Sequence, residues 1–220
     1  IFQTQADVDA HADQPNAEPG DIRFRDLNGD GVINPDDRGY IGDPIPDITY
    51  GLSLNASYKG FDFNMFLQGV QGVELYYAYR YFAEGMLRPF NFEQRTLGFW
   101  RGPGTSNTIP RAIGGDPANN TRESTRFIGD GSFLRARNMT LGYSIPSATL
   151  ESFANGSISS ARFYVTAQNL FTLTSYEGYD PEISSDLQTG NPGEYSRSRG
   201  IDSDNYPQPR TFLFGVQLSF

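Results

Sequence analysis

The amino-acid sequence predicts an all-β fold whose strands form part of a large transmembrane antiparallel β-barrel with long external loops. Short runs of alternating apolar and polar residues recur along the chain, and helical periodicity is nearly absent. Stretches rich in Gly, Asn, Asp, Pro and Ser separate these runs. Long and short separations alternate, as they do between the strands of outer-membrane barrels.

Five segments alternate with a period of two over roughly the ten residues that a membrane-spanning strand needs. These strands are predicted at residues 48–59, 61–70, 132–145, 161–173 and 210–220. Each has one largely apolar face, while Gly, Ser, Thr, Asn and Gln dominate the other face. The dipeptide Lys59-Gly60 predicts a tight hairpin turn between the first two strands.

Alternation alone fits a soluble β-sandwich as well as a barrel, because strands of both structures have one apolar and one polar face. The connections favour the barrel. If successive strands reverse direction, the three long segments fall on one side of the sheet and the short ones on the other. The external loops are therefore predicted at residues 1–47, 71–131 and 174–209.

Two arginines interrupt the apolar face of the third predicted strand. The period of two places Arg135 and Arg137 beside Phe133 and Met139. We expect the two guanidinium groups to snorkel towards an interface, or the start of this strand to protrude beyond the lipid.

Charge and residue usage exclude several classes of protein. The net charge is −9, and 17 Lys and Arg against 26 Asp and Glu offer no basic surface for nucleic acid. The chain has no cysteine, which excludes a disulfide framework and a thiolate metal site. The only histidine, His11, lies in a polar stretch, where we expect it to be solvated. No pattern indicates a catalytic site, so we predict that the chain is not an enzyme.

Residues 26–37 match the template of a calcium-binding loop, with oxygen ligands at the first, third, fifth and twelfth positions and Gly at the sixth. Asp replaces the usual Glu at the twelfth position, and Ile33 is expected to anchor the loop beneath. A structural calcium ion would stiffen an external loop; the alternative is an Asx-rich turn that satisfies its own backbone. The predicted ligands are Asp26, Asn28, Asp30, the carbonyl of Val32, and Asp37.

Residues 74–100 are rich in aromatic side chains, and a short helix is predicted before Gly85. The favoured interpretation is that these rings pack the external loop or contribute to an interfacial aromatic girdle. A stacking platform for carbohydrate is the alternative.

Four motifs occur in order along the chain. They are Asp26–Ile33, Phe133–Tyr143, Gln168–Thr172 running into Gly178–Glu182, and Tyr206–Phe212. Together they resemble the C-terminal part of SusC/RagA-type TonB-dependent transporters of Bacteroidetes, and the likeness covers nearly the whole chain.

The resemblance implies an outer-membrane barrel of about 22 strands that imports glycans, oligosaccharides or peptides. It also implies a SusD-like lipoprotein as an external lid, and TonB-ExbB-ExbD as the energy source acting through an N-terminal plug. Five strands are too few to close a barrel, so we expect them to complete one with the remaining portion of the transporter. The alternative function is that of a secreted calcium-stabilised β-sandwich, serving as a binding or adhesion module.

The last predicted strand resembles the signal that the barrel assembly machinery reads during outer-membrane insertion. Phe212 and Phe214 alternate along it, and Phe220 is a terminal aromatic residue. Any barrel strand would show the alternation, so it is the aromatic ring of Phe220 that specifically indicates an insertion signal.

Overall fold

The structure is a computed structural model that describes residues 1–87, 91–154, 157–183, 199–203 and 205–220. The chain divides into two compact units. The first comprises Ile1–Gly42, Tyr76–Ile128 and Ile201–Asp204, and the second comprises Asp43–Leu75, Gly129–Gly200 and Asn205–Phe220.

Strands cover more of the described residues than helices do, and the helices are short. The strands are β1 Ile48–Tyr58, β2 Phe61–Gln71, β3 Glu74–Tyr77, β4 Ile128–Asp130, β5 Phe133–Ser144, β6 Ser160–Gln168, β7 Thr172–Thr174, β8 Ile201–Asp202 and β9 Thr211–Ser219. The α-helices are α1 Gln5–Asp9, α2 Tyr79–Glu84 and α3 Ser147–Ala154, and 3-10 helices cover Pro35–Asp37, Gln94–Gly98 and Thr125–Phe127. Helix α2 ends at Glu84 and Gly85 is its C-cap, so the helix predicted before Gly85 is confirmed.

The five long strands form one antiparallel sheet in the order β1-β2-β5-β6-β9. Each long strand pairs with the next long strand along the chain. The connections 72–132 and 169–210 therefore lie at one end of the long strands, and 59–60 and 145–159 lie at the opposite end. A sandwich would divide these strands between two facing sheets, whereas here all five lie in one sheet.

The predicted strand 161–173 is wrong in its extent. Strand β6 ends at Gln168, because Asn169 adopts φ 50°, in the left-handed region that Asn tolerates better than most residues. The chain then resumes as β7, which pairs with the start of β5. The other four strands lie within one residue of their predicted limits.

The turn between β1 and β2 explains how the two strands pair without slippage. Lys59 has φ 47° and Gly60 has φ 87°, the left-handed pair of a type I′ turn, whose twist matches that of the flanking strands. A Cβ atom on Gly60 would lie 2.8 Å from the carbonyl oxygen of Ser144, so glycine is also required sterically. The register then runs without interruption from Tyr58↔Phe61 to Ile48↔Gln71.

The first unit has its own buried core, in which one carboxylate joins three segments. Asp21 is fully buried and accepts hydrogen bonds from the Arg111 Nε atom and the Asn120 side-chain amide, both at 2.9 Å. Its second oxygen accepts from the backbone amide of Glu18 at 2.9 Å. The apolar core residues of this unit are Phe2, Ile33, Tyr77, Ala83, Ile109, Ala118 and Phe127.

No helix in the described part of the chain is long and apolar enough to cross a membrane.

Candidate functional site

One face of the five-stranded sheet is apolar, and each of its five strands exposes at least one large apolar residue there; we call it the apolar face. Rows of paired residues cross it, so that each position on one strand faces an apolar position on the next. The rows are Tyr58-Phe61-Tyr143-Phe163-Val216, Ala56-Phe63-Leu141-Val165-Phe214 and Leu54-Met65-Met139-Ala167-Phe212. Phe214 is 83% exposed and Phe163 is 48% exposed, which is unusual for large apolar residues of a water-soluble sheet.

Aromatic rings concentrate in the row nearest the Lys59-Gly60 turn. The Phe61 and Tyr143 ring centroids lie 4.6 Å apart, and the ammonium group of Lys59 lies 5.1 Å from the Tyr58 ring centroid. Amphipathic aromatic rings and a lysine at one end of an apolar band are typical of a membrane–water interface.

The opposite face, which we call the polar face, carries the two arginines of β5. The β2–β5 register shifts between Phe66 and Leu67, so that Arg137 is skipped. This is a β-bulge, and the residues that precede it change face relative to Met139. The prediction that Arg135 and Arg137 interrupt the apolar face is therefore wrong, because a one-residue insertion reverses the alternation.

Arg135 and Arg137 bind two carboxylates from the segment that follows β7. Arg135 Nη2 lies 2.6 Å from Asp180 Oδ1, and Arg135 Nη1 lies 2.8 Å from Glu182 Oε2. Arg137 also pairs with Glu182, and its Nε donates to the side-chain oxygen of Gln68 at 2.6 Å. The Arg135 side chain is only 2% exposed and that of Asp180 only 6%, so these two charges neutralise one another away from water.

Asp180 connects segments that are distant in sequence. Its carboxylate accepts hydrogen bonds from the backbone amides of Glu182 and Gln208, both at 2.9 Å, in addition to the bond from Arg135. The residues on both sides of the segment 183–207 are thereby held by one side chain. Sequence reasoning missed this role, because neither Asp180 nor Glu182 is near Arg135 in sequence.

A second ion pair crosses the polar face at the other end of the strands. Arg162 on β6 donates to Asp62 on β2 through Nε at 2.9 Å and Nη2 at 2.6 Å. The strand β5 lies between them, and its residue at this position is Gly142. A Cβ atom there would lie 2.5 Å from both the Arg162 Nη2 atom and the Asp62 Oδ1 atom, so glycine lets the pair form at this position without displacement of either charged group.

The loop 26–37 winds around its own side chains. Asp26 accepts hydrogen bonds from the amides of Gly29 at 2.7 Å and Gly31 at 2.9 Å, and Asp30 accepts from Val32 at 2.8 Å. The side-chain oxygen of Asn28 accepts from the amide of Asp30 at 2.9 Å.

The far end of this loop is closed by Asp37. Its two carboxylate oxygens accept from the amides of Leu27 at 2.8 Å and Asn34 at 2.9 Å. These hydrogen bonds, that from Asn34 first, hold the pKa of the Asp37 carboxyl below its usual value. Within the described residues, no group of three or more His, Cys, Asp or Glu side chains is arranged to hold a metal ion.

The segment 11–14 is hydrogen-bonded to the backbone of the loop 26–37. The backbone of Asp13 accepts from Ile33 at 2.9 Å and donates to Gly31 at 2.8 Å. The predicted anchor, Ile33, is buried. The His11 Nε2 atom lies 2.8 Å from the Phe24 carbonyl oxygen, and its Nδ1 atom accepts from Arg23 at 3.3 Å. His11 is therefore part-buried and hydrogen-bonded, and the expectation of a solvated histidine is wrong.

A buried carboxylate in the first unit gathers three arginines. Glu84, which is 2% exposed, lies 2.5 Å from Arg126 Nη2, 3.2 Å from Arg80 Nε and 3.1 Å from Arg95 Nε. Burial raises the pKa of the Glu84 carboxyl, and the guanidinium groups oppose that rise. Tyr77 of the aromatic-rich segment is buried in the same unit, as the loop-packing interpretation expects.

The residues of the predicted insertion signal lie at the edge of the sheet. Phe212 and Phe214 share the apolar face of β9, and Phe220 follows the strand directly. All three rings are exposed. Strand β9 pairs with β6 and has no second partner strand among the residues that the structure describes.

The sequence of the chain is similar to those of several known proteins. No protein-family model matches the chain. The TonB-dependent receptor P3 of Formosa agariphila is 34% identical over 206 residues, covering 93% of this chain and 19% of the relative. The TonB-dependent receptor SusC of Bacteroides thetaiotaomicron is 32% identical over 206 residues, covering 93% of this chain and 18% of the relative.

The fold is also similar to that of solved transporters. The RagAB peptide importer in the closed-closed state superposes with a TM-score of 0.65 and 27% identity, over 80% of this chain and 18% of that chain. A second structure, of the RagAB peptide transporter, gives a TM-score of 0.63 and 29% identity, over 80% of this chain and 17% of that chain. The chain is of the SusC/RagA type. Its SusC/RagA resemblance and its all-β fold class, predicted from the sequence, are thus confirmed.

The SusC/RagA-type chain spans about a fifth of the length of the curated relatives that it matches. Its relatives are named as receptors and transporters, in keeping with the prediction of a non-enzymatic protein. The five described long strands form an open sheet, so β1 and β9 each leave one edge without a partner among the described strands.

Proposed function

We propose that this chain supplies part of the wall and the external loops of a TonB-dependent outer-membrane transporter that imports a glycan, an oligosaccharide or a peptide. The observation that carries the proposal is the apolar face, which crosses five antiparallel strands while the other face remains polar. A sheet with this pattern suits a barrel wall, with lipid outside and a polar lumen inside.

The direction of the strands supports the placement of the loops. The connections 72–132 and 169–210 lie at the same end of the long strands. Outer-membrane barrels have their long loops on the external side. The aromatic row beside Lys59-Gly60 then lies at the periplasmic interface. The partners of such a protein are a SusD-like lipoprotein as lid, TonB-ExbB-ExbD, and the plug and remaining strands of the same transporter.

Fractionation and uptake of the full-length protein test this proposal. It is expected in the outer membrane, and uptake of its substrate is expected to stop when tonB is deleted while the protein level stays constant. Recovery of the protein from the culture medium, without detergent, would instead support the secreted β-sandwich that serves in binding or adhesion.

The loop 26–37 is proposed to bind a structural calcium ion. The loop has oxygen-bearing residues at the positions of the calcium-loop template, and its residue Ile33 is buried. The backbone of Asp13 also holds the loop by hydrogen bonds to Gly31 and Ile33. The Asp26, Asp30 and Asp37 oxygens accept backbone hydrogen bonds, so binding requires them to turn towards a common centre, together with Asn28 and the Val32 carbonyl.

Calorimetry of the full-length protein tests the calcium proposal. Calcium titration is expected to release heat with the wild type and to lose that signal in Asp37→Asn. Asp36→Asn is the matched control, since Asp36 is the neighbouring acid and lies outside the ligand template. A wild type without a calcium signal, or two variants with equal affinity, would refute the proposal.

The end of β9 is proposed as the signal for the barrel assembly machinery, through Phe212, Phe214 and Phe220. Deleting Phe220 is expected to lower the amount of assembled protein in the outer membrane, whereas Phe220→Tyr retains the ring and is expected to assemble normally. Equal surface levels of the deletion variant would contradict this role.

A further inference from the structure

We propose that Asn28, in the loop 26–37, is a site of spontaneous deamidation, and that opening of this loop sets the rate of the reaction. The product has an aspartate or isoaspartate residue at this position in place of the amide. The inference goes beyond the proposed functions and requires neither transport nor bound calcium. All of the residues that carry it belong to the first unit.

The dipeptide Asn28-Gly29 combines an amide side chain with a following residue that has no Cβ atom. Deamidation of asparagine begins when the backbone nitrogen of the next residue attacks the side-chain carbonyl carbon, and a side chain on that residue would crowd the nitrogen. Glycine also has access to more backbone conformations than any other residue. Gly29 has φ 76°, and no atom lies within 4 Å of the position that a Cβ atom would take there. The folded chain therefore leaves space beside Gly29.

The reaction needs nothing from outside the chain except water. The Gly29 nitrogen forms a bond to Asn28 Cγ and gives up its proton, while the bond from Cγ to Nδ2 breaks and Nδ2 leaves as ammonia. The resulting succinimide ring has two carbonyl carbons, and water adds to one of them. Opening of the ring on one side gives aspartate, and opening on the other side gives isoaspartate. Water is consumed and ammonia is released, so no oxidant or reductant is required.

The closed loop holds the two reacting groups on different partners. The Gly29 N–H group donates to Asp26 Oδ1 at 2.7 Å. The Asn28 Oδ1 atom accepts from the amide of Asp30 at 2.9 Å, and Nδ2 donates to Asp30 Oδ2 at 3.0 Å. Attack requires the nitrogen and the carbonyl carbon to meet at about 3–3.5 Å with their orbitals aligned. Because both groups are hydrogen-bonded elsewhere, these contacts must break first, and the reaction proceeds from the locally opened loop.

Asp37 controls how often the loop opens next to Asn28. Its carboxylate accepts from the amides of Leu27 at 2.8 Å and Asn34 at 2.9 Å, and so joins the residue that precedes Asn28 to the far end of the loop. Substitution of Asp37 removes this closure without altering the reacting dipeptide. Since each of the lost hydrogen bonds contributes to the free energy of opening, the population of the opened loop is expected to rise by about tenfold, and the rate of deamidation with it.

Deamidation changes the loop irreversibly. A carboxylate in place of the Asn28 amide cannot donate to Asp30 Oδ2, and the two like charges repel each other. Isoaspartate in addition places one further carbon atom in the backbone, which shifts the residues of the loop relative to their hydrogen-bond partners. The backbone pairing of Asp13 with Gly31 and Ile33 is expected to weaken as a result. Conversion of Asn28 therefore favours the open form of the loop permanently.

Peptide mapping by mass spectrometry tests the proposal. Purified full-length protein is aged at mildly alkaline pH with a chelator, so that no calcium is bound, and the conversion of Asn28 is followed over time. The wild type is expected to accumulate aspartate and isoaspartate at this position, more slowly in the native state than after unfolding in denaturant. Mapping separates this site from Asn155-Gly156, an Asn-Gly dipeptide that lies outside the described residues.

Two variants test the role of loop opening. Asp37→Asn is expected to accelerate the conversion of Asn28 in the native protein by about tenfold. Asp36→Asn, the matched control at the neighbouring acid, is expected to leave the rate unchanged. The inference is wrong if Asn28 is not converted even in the unfolded chain, if native and unfolded protein react at equal rates, or if the two variants react at equal rates. Outer-membrane location, TonB-dependent uptake and calcium titration are measured separately, so failure here is distinguishable from failure of the proposed functions.

Discussion

The carboxylate of Asp62 and the guanidinium of Arg162 meet above Gly142, a residue of the strand that separates theirs. Two side chains thus join β2 and β6 across β5, in addition to the backbone ladder. Gly142 has no side chain, so the two charged groups can meet over its backbone.

Gly142→Ala is expected to displace this ion pair and to destabilise the folded protein by about 1 kcal/mol, because the new methyl group would crowd two partly exposed charged groups. The temperature at which the folded form disappears on a semi-native SDS gel measures the effect. Gly114→Ala serves as the control, since no atom lies within 4 Å of the Cβ position there. Equal melting of the two variants would contradict the role assigned to Gly142.

Asp180→Asn is expected to cost about 3 kcal/mol, since it leaves the buried guanidinium of Arg135 with a weakened partner. It also weakens the contacts to Glu182 and Gln208, so protease cleavage between residues 183 and 207 is expected to accelerate. Limited proteolysis followed by mass spectrometry measures this rate. Glu151→Gln, a change at an exposed acid, should leave cleavage unchanged.

Lysine substitutions in β9 distinguish its two faces. Phe214→Lys places a charge on the apolar face and is expected to cost about 2 kcal/mol in a membrane-inserted barrel. Leu213→Lys, the adjacent residue on the polar face, is expected to cost much less. The amount of each variant that assembles in the outer membrane measures the difference. A larger defect in Leu213→Lys would reverse the assignment of the two faces.

Acidification is expected to loosen the loop 26–37. The pKa of Asp37 is lowered in the folded protein, so the stabilisation from its hydrogen bonds is present above the ordinary carboxyl pKa and is lost as the pH falls through the folded value. Hydrogen exchange at the amides of Leu27 and Asn34, corrected for intrinsic rates, should show this loss at acidic pH. In Asp37→Asn the pH-dependent step should be absent, and its persistence would assign the step to another group.

Glu84→Gln is expected to destabilise the first unit by about 2 kcal/mol, because three arginines would then face an uncharged amide in a buried position. Raising the salt concentration should recover only part of this loss, since buried charges are poorly screened. Thermal unfolding monitored by fluorescence of Trp100 measures both effects. Glu123→Gln is the matched control at another acid of the same unit.

The strands could be predicted from sequence because the alternation of apolar and polar residues is a local pattern. The cluster of ion pairs around Arg135 could not be predicted in this way. The apolar rows need only a period of two and the correct order of strands. The position of Arg135 depended on a bulge at Arg137, which leaves no mark in the alternation until the pairing with β2 is known. Asp180 needed a partner 45 residues away in sequence, a relationship that neither spacing nor composition contains.

The hydrogen-bonded support of the loop 26–37 shows the same limit. The ligand template was visible in the sequence, and so was the buried anchor Ile33. The backbone pairing of Asp13 with Gly31 and Ile33 was not, because a parallel bridge between two loops has no characteristic residue pattern. The histidine in that segment was misjudged for the same reason.

The tight turn at Lys59-Gly60 has a consequence for the order in which the sheet is assembled. A two-residue connection brings β1 and β2 together at a small cost in chain entropy, and hairpins of this kind close within about 1–10 μs. Pairing of β2 with β5 must instead close the connection 72–132, whose entropic cost is larger. The β1–β2 hairpin is therefore the natural nucleus of this sheet, and its completion is limited by the ordering of the connections rather than by the strands themselves.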